Sequence, residues 1–188
     1  MKRYYITDSL SLPAGESLIE TIVRNERAGV DLIQIREKHL EARALALLVR
    51  EAVAVCKNAQ ILVSSRVDVA LACGAAGVHL PAGSIPPLAW RNIVPPGFLI
   101  GVSCHNLAEI KASAGADFVV YGPVFAPLSK VDPRQPVGLS GLRQACSMAP
   151  VAIFALGGIT AQNAAECIAA GAAGVAGITL FQRPGSRA

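Results

Sequence analysis

Aromatic residues are scarce in this 188-residue chain, at 5%, and charged residues make up only 16%. The charges scatter without blocks, and no basic run or basic–aromatic stripe is present, which argues against a nucleic-acid partner. No apolar run approaches the roughly 20 residues that span a bilayer, so no membrane partner is expected. A charged leader with an apolar core is also missing: Met1–Asp8 runs straight into a strand-like stretch, and a cytoplasmic location is the expectation. The five cysteines, Cys56, Cys73, Cys104, Cys146 and Cys167, form no CxxC and show no metal-ligand spacing. Four of them sit in Ala-rich, helix-like surroundings, where a reduced Cys acts as a small apolar residue. Cys104 beside His105 suggests a nucleophile and base, but adjacent strand residues point to opposite faces, so no such pair is expected. What is abundant is apolar: 53% hydrophobic residues can build a large core, and one domain over 1–188 is expected. The slight excess of cations, +4, fits a small anionic ligand.

Short β-rich runs alternate with Ala/Leu-rich helical stretches throughout. The predicted strands are Tyr4–Thr7, Leu32–Arg36, Ala59–Ser64, Gly77–Leu80, Leu99–Ser103, Phe118–Tyr121, Ala152–Ala155 and Gly174–Ile178. Helix-period segments lie at Glu16–Ala28, Glu41–Cys56, Leu107–Ser113, Gly141–Ala149 and Ala161–Ala170. Four junctions repeat one theme, Ala28-Gly29-Val30-Asp31, Gly74-Ala75-Ala76-Gly77, Gly115-Ala116-Asp117 and Gly171-Ala172-Ala173-Gly174. Each puts a Gly just past a helix end, where a left-handed cap is wanted, and then starts a strand. A recurring helix–Gly–strand unit implies parallel strands with crossover helices. The fold class is α/β, and eight such strands predict a (β/α)8 TIM barrel. The alternative, an open doubly wound sheet, should carry a Gly-rich turn after its first strand; Thr7-Asp8-Ser9-Leu10 has none. Barrels typically run to about 250 residues. Here only Leu180–Ala188 follow the last strand, broken by Pro184-Gly185, so the final helix should be short or missing.

In such a barrel, chemistry sits at the C-terminal strand ends. The second strand ends Gln34-Ile35-Arg36-Glu37-Lys38. Period two puts Gln34, Arg36 and Lys38 on one face and Ile33, Ile35 and Glu37 on the other. A neutral donor with two cations at the barrel mouth suits phosphate or diphosphate, internal salt bridges being the alternative. A second anion site is expected where Ala155-Leu156-Gly157-Gly158-Ile159-Thr160 closes strand seven, with Thr160 as helix N-cap, joined by Gly177-Ile178-Thr179 after strand eight. The sixth strand leads into Tyr121-Gly122-Pro123-Val124-Phe125-Ala126-Pro127-Leu128-Ser129-Lys130, which reads as a lid over an anion.

These motifs together resemble thiamine phosphate synthase and its TenI-type relatives over essentially the whole chain. The residues that carry the resemblance are Gln34-Ile35-Arg36-Glu37-Lys38, Ser65-Arg66-Val67-Asp68, Gly77-Val78-His79-Leu80, Gly101-Val102-Ser103-Cys104-His105, Gly122-Pro123-Val124-Phe125 with Ser129-Lys130, and Leu156-Gly157-Gly158-Ile159. The resemblance implies a diphosphate against Gln34, Arg36, Lys38, Ser64, Ser103, Ser129 and Lys130. It implies a thiazole phosphate at Gly157, Gly158, Ile178 and Thr179. The synthase joins a pyrimidine diphosphate to that thiazole and holds Mg²⁺ on acidic residues. Here Ser64-Ser65 stand where the synthase pattern has Asn-Asp, and Ser84 stands at the later Asp position. Hydroxyls replace carboxylates poorly on a hard dication, so no metal cofactor is expected and Mg²⁺ is doubtful. The Leu80-Pro81-Ala82-Gly83-Ser84 stretch looks like the TenI-type branch, a thiazole tautomerase, yet that branch has a His where this chain has Pro123. The expectation is a TenI-like protein that binds a phosphorylated thiazole, with His105 as candidate catalytic base. The alternatives are a synthase with weakly held metal and a non-catalytic phosphate-ligand sensor. A homodimer is expected to cover strands one and eight, where the last helix falls short; the tail or 10–13 folding over a monomer is the alternative.

Overall fold

A computed structural model describes residues 1–126 and 134–182. Eight parallel strands close a barrel in chain order, each followed by a helix. They are β1 (Lys2–Ile6), β2 (Leu32–Ile35), β3 (Gln60–Ser64), β4 (Gly77–Leu80), β5 (Leu99–Cys104), β6 (Phe118–Tyr121), β7 (Ala152–Ala155) and β8 (Gly174–Gly177). The helices are α1 (Leu18–Arg27), α2 (Ala42–Val55), α3 (Val67–Ala72), α4 (Pro87–Arg91), α5 (Leu107–Lys111), α6 (Gly138–Met148), α7 (Ala164–Ala169) and α8 (Thr179–Gln182). The open doubly wound alternative is excluded, because β1 pairs with β8 from Lys2↔Gly174 to Tyr5↔Gly177. Helices α3 and α4 span six and five residues and add to the helix-period segments named from the sequence. The four junction glycines, Gly29, Gly74, Gly115 and Gly171, all adopt positive φ, at 79°, 68°, 89° and 105°.

Period two sorts the side chains into two cores. Ile33, Ile35, Val63, Val78, Ile100 and Val175 point outward and pack under Ile22, Val49, Leu142 and Cys167 of the helices. Tyr4, Leu32, Leu62, Phe118, Phe154 and Ala176 fill the barrel interior. Edge-to-face contacts, Tyr4 to Phe118 at 5.6 Å and Phe118 to Phe154 at 5.2 Å between centroids, make a rigid floor beneath the mouth. Gly101 makes room for this floor, since a Cβ there would collide with the Phe118 ring and come 2.9 Å from His79 Nδ1.

Among the described residues the last helix spans Thr179–Gln182, and the barrel beside it is closed from within. The Gln182 side chain accepts from Tyr5 Oη (3.3 Å) and the Asp8 N–H (2.9 Å), and donates to Asp8 O (3.0 Å) and Ser11 Oγ (3.1 Å). Asn25 Nδ2 donates to Phe181 O at 3.0 Å and so ties α8 to α1. The uncovered β1–β8 surface that suggested a dimer is thus corrected: the described part of α8 and the 3-10 turn at Ser9–Ser11 cap it in one chain.

Helix α1 ends in a buried carboxylate. Glu26 takes the N–H groups of Lys57, Asn58 and Ala59 at 2.8–2.9 Å and the Asn58 amide at 3.1 Å, fixing the turn between α2 and β3. Burial pushes its carboxyl upward, but the four donors together outweigh burial and hold it below the usual Glu value. The ionised form is therefore favoured by folding. Its contribution is complete above the ordinary Glu range and is lost as pH falls through the lower folded value. Urea melts from pH 7 down to pH 3 should show stability falling at the acid end, and Glu26→Gln should flatten that part. The Glu26→Ala chain should lose about 2 kcal/mol at pH 7, because three backbone donors lose their acceptor.

Candidate functional site

The C-terminal strand ends enclose a cavity of about 520 Å³. Its floor is Ile6, Gln34, His79 and Ala176, above the aromatic layer. One wall carries Arg36, Lys38, Ser64, Ser65 and Ser103; the other carries Leu156, Gly157, Gly158, Ile178 and Thr179. His105, Gly122, Pro123 and Arg134 line the space as well. The cavity thus gathers His105 and the described residues expected at the two phosphate sites, apart from Thr160; Ser84 turns aside and donates to Ile85 O at 3.3 Å. Ser129 and Lys130 lie outside the described residues.

Arg36 and Lys38 carry the main electrostatic signal. Their neighbour Glu37 points the other way, where it accepts from Thr7 Oγ1 (2.5 Å), Ser9 Oγ (2.5 Å) and the Ser9 N–H. Thr7 Oγ1 also accepts the Arg36 N–H at 2.9 Å and fixes the strand end. Glu37 is therefore occupied by the β1 loop. Among the described residues, the Arg36 and Lys38 side chains have no hydrogen bond or ion pair. That removes internal salt bridges as the reason for these cations. No Asp or Glu lines the cavity among the described residues, so its wall is cationic and hydroxylic.

Across the cavity, Gly157 and Gly158 both have positive φ, 98° and 60°. Among the described residues, the N–H groups of Gly157, Gly158 and Thr179 donate to no protein acceptor. Thr160 is not the helix cap expected from the sequence. It exchanges bonds with Asn163 instead, through its N–H to Oδ1 (2.8 Å) and its Oγ1 from the Asn163 N–H (3.3 Å), and α7 begins only at Ala164. The amides without a protein acceptor thus come from the glycine turn and the start of α8. At Gly158, a Cβ would meet the Ala126 carbonyl oxygen and sit 2.7 Å from Phe125 Cβ. Gly158→Asp should therefore displace the segment after β6 as well as repel an anion. A loss of at least ~10-fold in affinity for thiazole phosphate, about 1.4 kcal/mol, is expected by calorimetry. Unchanged affinity in a folded variant would place the phosphate elsewhere.

The two cavity histidines differ. His105 Nδ1 lies 2.8 Å from Gly122 O, which can only accept, so Nδ1 carries the proton and Nε2 keeps its lone pair. Arg134 Nη1 donates to that lone pair. The adjacent Cys104 faces outward, fully buried, and burial with Glu109 nearby pushes its thiol up to about 12, so no Cys–His pair forms. His79 is a cavity residue that the sequence reading does not single out, its one signal being a lone imidazole among the apolar residues of β4. Its Nε2 lies 2.8 Å from Ser103 Oγ and its Nδ1 3.2 Å from Tyr4 Oη. Burial, then the Arg36 charge, pulls its pKa down to about 3 and keeps it neutral.

A family model described as thiamine monophosphate synthase matches residues 3–181. The chain belongs to that family. It is 41% identical over 181 residues to the thiamine-phosphate synthase of Methanoculleus marisnigri, covering 94% of this chain and 85% of that protein. It is 41% identical over 180 residues to the thiamine-phosphate synthase of Methanoregula boonei, with 94% and 83% covered. The solved thiamine phosphate pyrophosphorylase of Pyrococcus furiosus superposes with a TM-score of 0.83 at 30% identity, over 97% of this chain and 88% of that one. The protein is thus an enzyme of the thiamine pathway. No helix among the described residues is long and apolar enough to cross a membrane.

The donors present do not suit the family's Mg²⁺. Of the two positions that carry carboxylates in the synthase pattern, Ser65 offers a hydroxyl and Ser84 is outside the cavity wall. Asp68 is engaged by both arms of Arg66, at 2.8 and 2.6 Å, which holds its carboxyl down to about 2. Among the described residues no group of three His, Cys, Asp or Glu side chains converges. A hard dication needs several oxygen ligands, so no step is assigned to one.

Proposed function

We propose that this enzyme binds a phosphorylated thiazole and moves a proton on its ring, a TenI-like tautomerisation without protein-held Mg²⁺. The observation that carries the reading is a wall with Arg36, Lys38 and serine hydroxyls and, among the described residues, no carboxylate. The thiazole phosphate takes the Gly157, Gly158 and Thr179 amides, as anions do at glycine turns and helix starts. His105 Nε2 accepts a ring proton and returns it at another position, so the protons balance and no co-reactant is needed. Its imidazole hangs on the carbonyl just before Pro123, which supports its serving where the TenI-type branch has a His. An anion drawn to Arg134 would pull the guanidinium from Nε2 and expose the base.

A second reading is the synthase reaction, favoured by the intact cationic wall opposite the glycine turn. Two anion sites in one cavity suit two phosphorylated substrates, and the relatives carry that name. One assay separates the readings: thiazole phosphate in deuterated water, with and without pyrimidine diphosphate and Mg²⁺. Deuterium entering the thiazole ring without the other two supports the tautomerase. Thiamine phosphate and diphosphate appearing together supports the synthase, and binding with neither reaction supports a sensor.

The homodimer is likewise proposed, now on the α2–α4 side, where Leu47, Leu71, Ile85 and Leu88 are exposed. Light scattering should give twice the chain mass; a one-chain mass throughout a micromolar dilution series would rule it out.

A further inference from the structure

Four polar side chains from four strands form one chain across the barrel interior. Gln34 on β2 meets Tyr4 Oη on β1 through its Oε1 at 3.3 Å. Tyr4 Oη meets His79 Nδ1 on β4 at 3.2 Å, and His79 Nε2 meets Ser103 Oγ on β5 at 2.8 Å. Tyr4 is fully buried, Gln34 is 2% exposed and His79 is 4% exposed. Both ends of the chain reach the cavity: Ser103 lies on the cationic wall with Arg36, and Gln34 lies on the floor. Among the described residues, the half of the Gln34 amide turned from Tyr4 has no partner.

Proton counting leaves such a chain two directions. A neutral imidazole has one N–H, the phenol one O–H, and the serine one O–H. His79 stays neutral, because burial and the Arg36 charge oppose a second proton. In the first direction Ser103 donates to His79 Nε2, Nδ1–H donates to Tyr4, and Tyr4 donates to Gln34 Oε1. Ser103 then shows lone pairs to the cavity, and Gln34 shows its NH2. In the second direction Gln34 Nε2 donates to Tyr4, Tyr4 donates to Nδ1, and Nε2–H donates to Ser103. The Ser103 hydroxyl is then free to donate outward, and Gln34 turns its carbonyl to the cavity. Passing between them moves the imidazole proton from Nδ1 to Nε2 by exchange with solvent through the cavity and flips one amide; no charge changes.

We propose that Tyr4 and His79 form a relay that converts anion binding at Ser103 into the choice of donor or acceptor that Gln34 presents. This rests on the reading that an anion docks on the Arg36, Lys38 and Ser103 wall. An anionic oxygen accepts hydrogen bonds only, so it binds only the direction in which Ser103 donates. Gln34 then offers a carbonyl, and the cavity becomes selective for a heteroaromatic ring that carries an N–H donor, such as an aminopyrimidine. A ring that has only acceptors gains nothing from the anion. Tyr4 and His79 are positioning residues for specificity, and the coupling is reciprocal between the two ligands.

The test uses the full chain, labelled with ¹⁵N-histidine, in Mg²⁺-free buffer with inorganic diphosphate as the probe. Only three histidines are present, and His79→Gln assigns its signal. His79 should be the Nδ1–H tautomer in buffer and the Nε2–H tautomer with saturating diphosphate. Diphosphate should also tighten 4-aminopyrimidine at least ~5-fold in calorimetry, the lower end of ordinary coupling. In Tyr4→Phe that factor should fall below about 2, with diphosphate affinity kept. Ser103→Ala, which leaves the floor intact, provides the parallel test: its His79 tautomer should no longer answer to diphosphate. Diphosphate binding with an unchanged His79 tautomer overturns the relay alone, as does coupling that survives in folded Tyr4→Phe. No binding heat with diphosphate overturns the anion wall itself, and the relay with it.

Discussion

His105→Gln should lower deuterium incorporation into thiazole phosphate by at least ~100-fold, within the range that a positioned general base contributes. Ligand affinity should stay within about threefold, because His105 is assigned to the proton and the Gly157, Gly158 and Thr179 amides to the phosphate. The physical basis is the tautomer. Gly122 O holds the proton on Nδ1 and leaves Nε2 as the only basic atom of the ring. Glutamine can still donate to Gly122 O, so the local packing survives while the base is lost. An unchanged exchange rate in the folded variant would move the base elsewhere.

The double variant Arg36→Met, Lys38→Met should weaken inorganic diphosphate by at least ~100-fold, since hydrogen bonds to charged groups contribute about 1.5–3 kcal/mol each. Wild-type affinity should change less than about threefold between excess Mg²⁺ and chelator, for want of carboxylates to hold the metal. Calorimetry in both buffers gives the two results together. A large gain with Mg²⁺ would restore metal-assisted leaving-group chemistry and the synthase reading. Stability should hardly change, because neither side chain has an ion pair or hydrogen bond among the described residues to lose.

Much of the site was legible because strand period two is a local property. Gln34-Ile35-Arg36-Glu37-Lys38 divides into cavity and outer faces as the alternation requires, and Cys104 parts from His105 for the same reason. The glycine turn after β7 was equally visible, but its cap was not. Thr160 and Asn163 are both good capping residues, and their mutual hydrogen bonds, with α7 starting only at Ala164, are not readable from residue type alone. Helices α3 and α4 are less legible than the equally short α5 and α7, because Val67–Ala72 follows β3 after two residues and Pro87–Arg91 lies in a Pro-rich stretch.

The sequence by itself determined the helix–Gly–strand junction repeated four times, the eight parallel strands of the barrel and the faces of those strands. Each of these follows from backbone preference and hydrophobic period within a few residues. Tertiary structure decided what lies across the barrel. Tyr4, Gln34, His79 and Ser103 come from four strands, and Arg134 reaches His105 from 29 residues away. Gln182 closes onto Asp8 across 174 residues. Periodicity carries no information about such distances. They are set when the sheet closes, by the strand register and by the Tyr4–Phe118–Phe154 floor that holds the interior open above it.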